Sequence, residues 1–134
     1  AAQLANLFLT EVVARSTHGI DLHSAAIHRS NLPQIRVDSQ DEAAFRLAEA
    51  FGAPIIVHSG LREGSLRAAA LKKSVPVIVY EAGEGLRVDE FSVRVGIEGV
   101  LQVMVHLGMV RRRRHPPRSP VLATSSRWVH DEGE

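Results

Sequence analysis

The sequence predicts a three-layer α/β/α fold with a mainly parallel sheet. Three observations predict it. Apolar runs such as Val75-Pro76-Val77-Ile78-Val79-Tyr80 are continuous instead of alternating, which marks strands buried on both faces. Segments with apolar residues at helical spacing lie between those runs. Capping residues and glycines punctuate the joins. The order reads helix, strand, helix, strand, helix, strand, helix, and helices that link parallel strands must cover the sheet on both sides.

Residues 2–15 place Leu4, Leu7, Phe8 and Val12 at helical spacing. An extended segment follows from Ser16 to Leu22. Residues 23–38 read as a long polar loop, with Pro33 barring a simple helix. Ser39 and Glu42 have the spacing of a capping box, so the next helix is expected to start there. It buries Ala44, Phe45, Ala48 and Phe51, and Gly52 ends it. Pro54 to Val57 is a short buried strand. Gly60 to Gly64 turns the chain, and Ser65 to Lys73 is helical, with Lys72 and Lys73 where cations suit the helix dipole. Val75 to Tyr80 is the clearest strand, its proline near the start where strands tolerate one. Asp89 caps a helix that runs to about Leu107. Gly96 and Gly99 let that helix approach a neighbour closely, and Gly108 stops it.

The expected organisation is a partial catalytic α/β unit over residues 1–110, a basic proline-containing linker over 111–120, and the start of a β-rich unit over 121–134. Three strands make a narrow sheet. The chain also opens inside a helix and closes on an interrupted strand, so it reads as an incomplete piece, truncated at the N-terminus. An exposed sheet edge left by that truncation would favour self-association, so a homo-oligomer is compatible with the sequence.

Composition narrows the function classes. The 134 residues are 45% hydrophobic and 23% charged, with a net charge of +1, which suits an ordinary globular domain without a polyanionic partner. There are no cysteines, so a metal would need histidine and carboxylate ligands. That usage fits the cytoplasm. No apolar run reaches the ~18 residues of a membrane span. Arg111–Arg114 reads as a solvated linker instead of a nucleic-acid surface. Gly83-x-Gly85 is a weak nucleotide-binding signal because two acidic positions, Glu81 and Glu84, stand beside it.

In an open parallel sheet, reacting groups gather where strands end. The first strand runs into Asp21-Leu22-His23 and the third into Glu81-Ala82-Gly83-Glu84. Both should emerge at the same sheet edge. Asp21 is expected on the face opposite His23.

The stretches His18-Gly19-Ile20-Asp21-Leu22-His23, Asn31-Leu32-Pro33-Gln34-Ile35-Arg36, Gly64-Ser65-Leu66-Arg67 and Val75 to Glu84 resemble the succinylglutamate desuccinylase/aspartoacylase family, which is similar to the zinc carboxypeptidases. The resemblance spans about residues 16–109 and implies a zinc-carboxypeptidase-like fold. It implies that His23 is a zinc ligand and that Glu81, the glutamate of Glu-x-Gly, is the general base and acid, with Glu84 the rival. It also implies a substrate-binding role for Arg67. Arg29, Asn31 and Arg36 lie in the segment after His23 and could frame the substrate. The implied activity is hydrolysis of the amide of an N-acyl amino acid or a similar small acyl compound, with one Zn²⁺ per intact subunit. The family's other two zinc ligands come from a His-x-x-Glu motif, and no such motif occurs here. This chain alone is therefore expected to be inactive and to hold zinc weakly or not at all. The competing reading is a metal-free pseudoenzyme or binding module of the same fold.

Overall fold

The computed structural model describes residues 2–111 and 119–126. Helix α1 covers Ala2–Glu11 and is followed by a 3-10 turn at Val13–Arg15. Strands β1 (Gly19–Ser24) and β2 (Asn31–Val37) come next, then α2 (Glu42–Phe51), β3 (Ile55–His58), α3 (Leu66–Leu71), β4 (Val77–Gly83), α4 (Glu90–His106) and β5 (Val121–Ala123). The expected α/β/α architecture is present. The five described strands form one sheet in the order β1-β4-β2-β3-β5.

The sheet is mainly parallel. β1 with β4, β2 with β3, and β3 with β5 are parallel pairs, and the β2–β4 seam is antiparallel. It is wider than the three strands expected, for two reasons. The first is β2, which lies where a polar loop was expected. Pro33 does not break it, because the β2–β4 register shifts between Asn31 and Gln34. A residue at such an irregularity need not donate to the ladder. The second is β5, which the sequence assigns to a separate β-rich unit; it pairs with β3 at the edge of this sheet. The rest of that unit, residues 127–134, and most of the basic linker lie outside the described residues.

Two apolar clusters hold the layers. Ile35, Val37, Ile56, Ile78, Tyr80 and Ala82 pack against Ala44, Leu47, Ala48 and Phe51 of α2 and against Val95 and Val103 of α4. On the other side, Val77 packs with Val75, Ala70 of α3 and Val13, joined by Leu9 of α1. Full burial of each large aliphatic or aromatic side chain contributes roughly 1.5–3 kcal/mol, so the α2–α4 side carries most of the stability. α1 itself buries none of its residues: Leu4, Leu7 and Phe8 are all exposed, as is Val12 just beyond its end.

The helix ends follow the chemistry of their caps. α2 starts two residues later than the capping-box spacing puts it. Asp41 is the N-cap, and its carboxylate accepts from the Ala44 N–H at 3.0 Å. Ser39 instead donates its N–H to His58 Nδ1 at 3.2 Å. Gly52 ends α2 at a φ of 72°. Ser65 caps α3 and Asp89 caps α4 as expected. Gly99 of α4 is a close-approach glycine: a Cβ there would lie 2.1 Å from Phe51 Cε1.

Candidate functional site

The site is built on β1, β4 and β2. His23 and Glu81 are register partners on the parallel pair β1–β4, and Gln34 of β2 faces Glu81 from the other side. Partners in register present their side chains on one face, so His23, Glu81 and Gln34 make one rung. The neighbouring rung is Asp21, Val79 and Arg36. Residues two apart in a strand share a face, so both rungs look the same way. The expected convergence of His23 and Glu81 at one part of the sheet is what the register produces. They lie near the strand ends, in the last two and last three residues of β1 and β4 respectively.

Asp21 departs from expectation. It was expected to face away from His23, but strand alternation puts it on the same face. Its Oδ1 lies 3.0 Å from His23 Nε2. That contact orients the ring, with Nε2–H donating to the carboxylate. The period of two along a strand was the available signal.

Glu81 is mostly covered, its side chain 21% exposed, and its Oε2 lies 3.4 Å from Arg36 Nη1. Arg67, at the start of α3, donates from Nη1 to the Ser59 carbonyl at 2.9 Å and from Nη2 to Ser59 Oγ at 3.2 Å. Its pKa is lowered by burial and by the nearby Arg36 cation, with Asp38 acting the other way. The Arg36 and Arg67 guanidiniums therefore disfavour one another, and of the two it is Arg36 that meets Glu81. Asn31 is the half-buried first residue of β2, paired with Gly83 at the edge where β1 and β4 end. Arg29 lies on the exposed turn between β1 and β2, outside the strands.

Glu84 has a structural task. Its Oε1 accepts from the His28 N–H at 3.0 Å, and its Oε2 is 3.4 Å from Arg87 Nη1. It ties the β1–β2 turn to the turn after β4. Gly85 sits in the same junction, where a Cβ would fall 2.9 Å from the Ala25 carbonyl oxygen.

A groove of about 640 Å³ opens between the β1 edge and α4, walled by Leu22, Tyr80, Ala82, Val93 and Ile97. Leu22, Tyr80 and Ala82 alternate with His23 and Glu81 along their strands, so the apolar wall of this groove lies on the other face of the sheet from Glu81, although His23 and Glu84 also line the groove. That apolar wall is not the surface on which His23 and Glu81 would act together.

A zinc ion needs three or four protein donors in fixed geometry. Among the described residues no group of three histidine, cysteine, aspartate or glutamate side chains could hold a metal ion. His23 offers one imidazole beside one carboxylate, and the described residues do not complete a zinc site.

A mixed, mainly parallel sheet flanked by helices, with a histidine and a glutamate in register on adjacent parallel strands, defines a three-layer α/β/α domain. Residues 1–107 match the succinylglutamate desuccinylase/aspartoacylase catalytic domain, and the chain belongs to that family. Solved structures share the fold. A product-bound ectoine utilization protein EutE (DoeB) from Ruegeria pomeroyi aligns with a TM-score of 0.82 at 19% identity, covering 93% of this chain and 40% of that one. A succinylglutamate desuccinylase from Silicibacter sp. TM1040 aligns with a TM-score of 0.78 at 20% identity, covering 92% and 40%. A succinylglutamate desuccinylase/aspartoacylase from Rhodobacter sphaeroides gives 0.70 at 23% identity, covering 79% and 33%. The chain thus spans less than half the length of each. None of the curated proteins matches it. No described helix is long and apolar enough to cross a membrane.

Proposed function

We propose that the intact protein hydrolyses the amide bond of an N-acyl amino acid or a similar small acyl compound. The observation that carries this reading is the His23–Glu81 rung, backed by an arginine that is itself anchored. Glu81 takes a proton from the attacking water and delivers it to the leaving amine nitrogen, as a positioned carboxylate does in general base and acid catalysis. Arg67 holds the substrate carboxylate, because a guanidinium fork grips a carboxylate with two parallel hydrogen bonds. Its bonds to Ser59 fix that fork before substrate arrives. Asn31 and Arg29 frame the approach from the β1–β2 side.

The proposal includes one zinc per intact subunit, which His23 would help to hold. The remaining donors are not among the described residues, so the steps assigned here belong to the chain's own groups. The names of the similar proteins, desuccinylase and aspartoacylase, support a small acylated amino acid as substrate.

The incomplete donor set favours a second reading, a metal-free binding module of the same fold. One experiment separates them: hydrolysis of a panel of N-acyl amino acids by the full-length protein, with and without zinc. Turnover that Glu81→Gln abolishes supports the deacylase. Binding of the same compounds without turnover supports the module.

A further inference from the structure

Arg36, expected to frame the substrate, stands beside Glu81. It lies diagonally across from Glu81 on the antiparallel β2–β4 seam, one rung away on the same face. Diagonal neighbours on a sheet are within reach of long side chains. Arg36 Nη1 meets Glu81 Oε2 at 3.4 Å, and both side chains are mostly covered. Glu81 attracts the Arg36 guanidinium, and Arg67 is near enough for the two cations to disfavour one another.

We propose that Arg36 is a positioning residue for Glu81: it fixes the carboxylate by Oε2 and leaves Oε1 to accept and return the proton. Arg67 is then the substrate's anchor and Arg36 is not. The proposal rests on the reading of Glu81 as the proton-transfer group. It separates the two arginines by role, although they are neighbours of the same charge.

The two roles differ in kinetics. An anchor that grips substrate and transition state equally changes KM, whereas a group that aims the base changes kcat. In the full-length protein, Arg36→Met should lower kcat about tenfold or more with KM within about threefold, since misaligned general base catalysis forfeits part of its ~10²–10⁴-fold contribution. Arg36→Lys should recover part of the loss, because it restores the charge without the planar fork. Arg36→Met added to Glu81→Gln should cost nothing further, since both changes remove one unit. A raised KM with unchanged kcat would overturn the assignment and return Arg36 to the substrate.

Glu81→Gln alone separates the two ideas. If that variant keeps its turnover, the proton-transfer reading fails. If it is inactive while Arg36→Met is not, only the Arg36 proposal fails. Thermal unfolding of the single and double variants gives a readout free of catalysis. Shifts in midpoint that are less than additive support the contact, and strictly additive shifts overturn it.

Discussion

His23 and Glu81 stand on the same rung of two parallel strands, one the outer strand β1 and the other its neighbour β4. They are far apart in sequence and adjacent in register. Neighbouring strands run ~4.8 Å apart, so the imidazole and the carboxylate can reach one small molecule without any loop movement. Each is steadied from the next rung, His23 by Asp21 and Glu81 by Arg36.

The first prediction concerns the base. Glu81→Gln in the full-length protein should lower amide turnover by ~10²–10⁴-fold. Its unfolding midpoint should barely move, because a partly exposed ion pair such as Arg36–Glu81 contributes only ~0–1 kcal/mol. Steady-state assays and calorimetry check both halves. Turnover near the parent's would put the base elsewhere, although Glu84 is already occupied with His28 and Arg87.

The second concerns metal. The 134-residue chain should carry no stoichiometric zinc after dialysis and should not hydrolyse N-acetyl amino acids. One imidazole cannot supply the three or four donors a zinc site uses. Elemental analysis with a hydrolysis assay decides it. One tightly held zinc per chain together with turnover would mean that a second copy supplies ligands.

The third concerns packing. Gly99→Ala should destabilise the fold by up to about 2 kcal/mol. Helix propensity alone would favour alanine by about 1 kcal/mol. The new Cβ, however, falls 2.1 Å from the Phe51 ring, and overpacking typically costs ~1–3 kcal/mol. Phe51 cannot retreat easily, being buried and stacked on Tyr80 with ring centroids 5.0 Å apart. A rise in melting temperature would show that the ring has somewhere to go.

The fourth concerns pH. Tyr80 is the only tyrosine, so absorbance reports its ionisation alone. Burial, helped by Asp89, pushes its pKa from 10.0 up to about 12. Its hydroxyl also donates to the Ser92 carbonyl at 2.7 Å. The fold favours the protonated phenol, so this contribution is complete below pH 10 and is lost as pH rises toward 12. A titration midpoint near 10 in the folded protein would contradict this.

The helices and three of the strands were legible because their signals are local. Asp89 and Ser65 cap where they stand, and Val77 to Tyr80 declares a buried strand by composition alone. β2 was hidden because a proline and polar residues make it resemble a loop. Its strand character comes from tertiary pairing on both sides, with Pro33 placed at the register shift. The start of α2 was misplaced for a similar reason: Ser39 is drawn to His58, which only the fold brings near. At the site, family motifs singled out His23, Glu81 and Arg67, and the strand register brings the first two together. Asp21's side was open to strand periodicity and was misjudged. The contacts of Arg36 with Glu81 and of Arg67 with Ser59 depend on pairings that local sequence does not encode.

The position of β4 has a consequence for how the chain acquires its shape. β1 and β2 follow one another in sequence but never pair; β4 is wedged between them and is the only described strand that bridges them. During synthesis, β2 can pair with β3, but the edge of each earlier strand that faces β4 stays open until residues 77–83 are made. Contacts of such long sequence separation slow folding, because loop-closure entropy must be met before the contact rewards it. The His23–Glu81 rung therefore comes into being only when the last of these edges is covered.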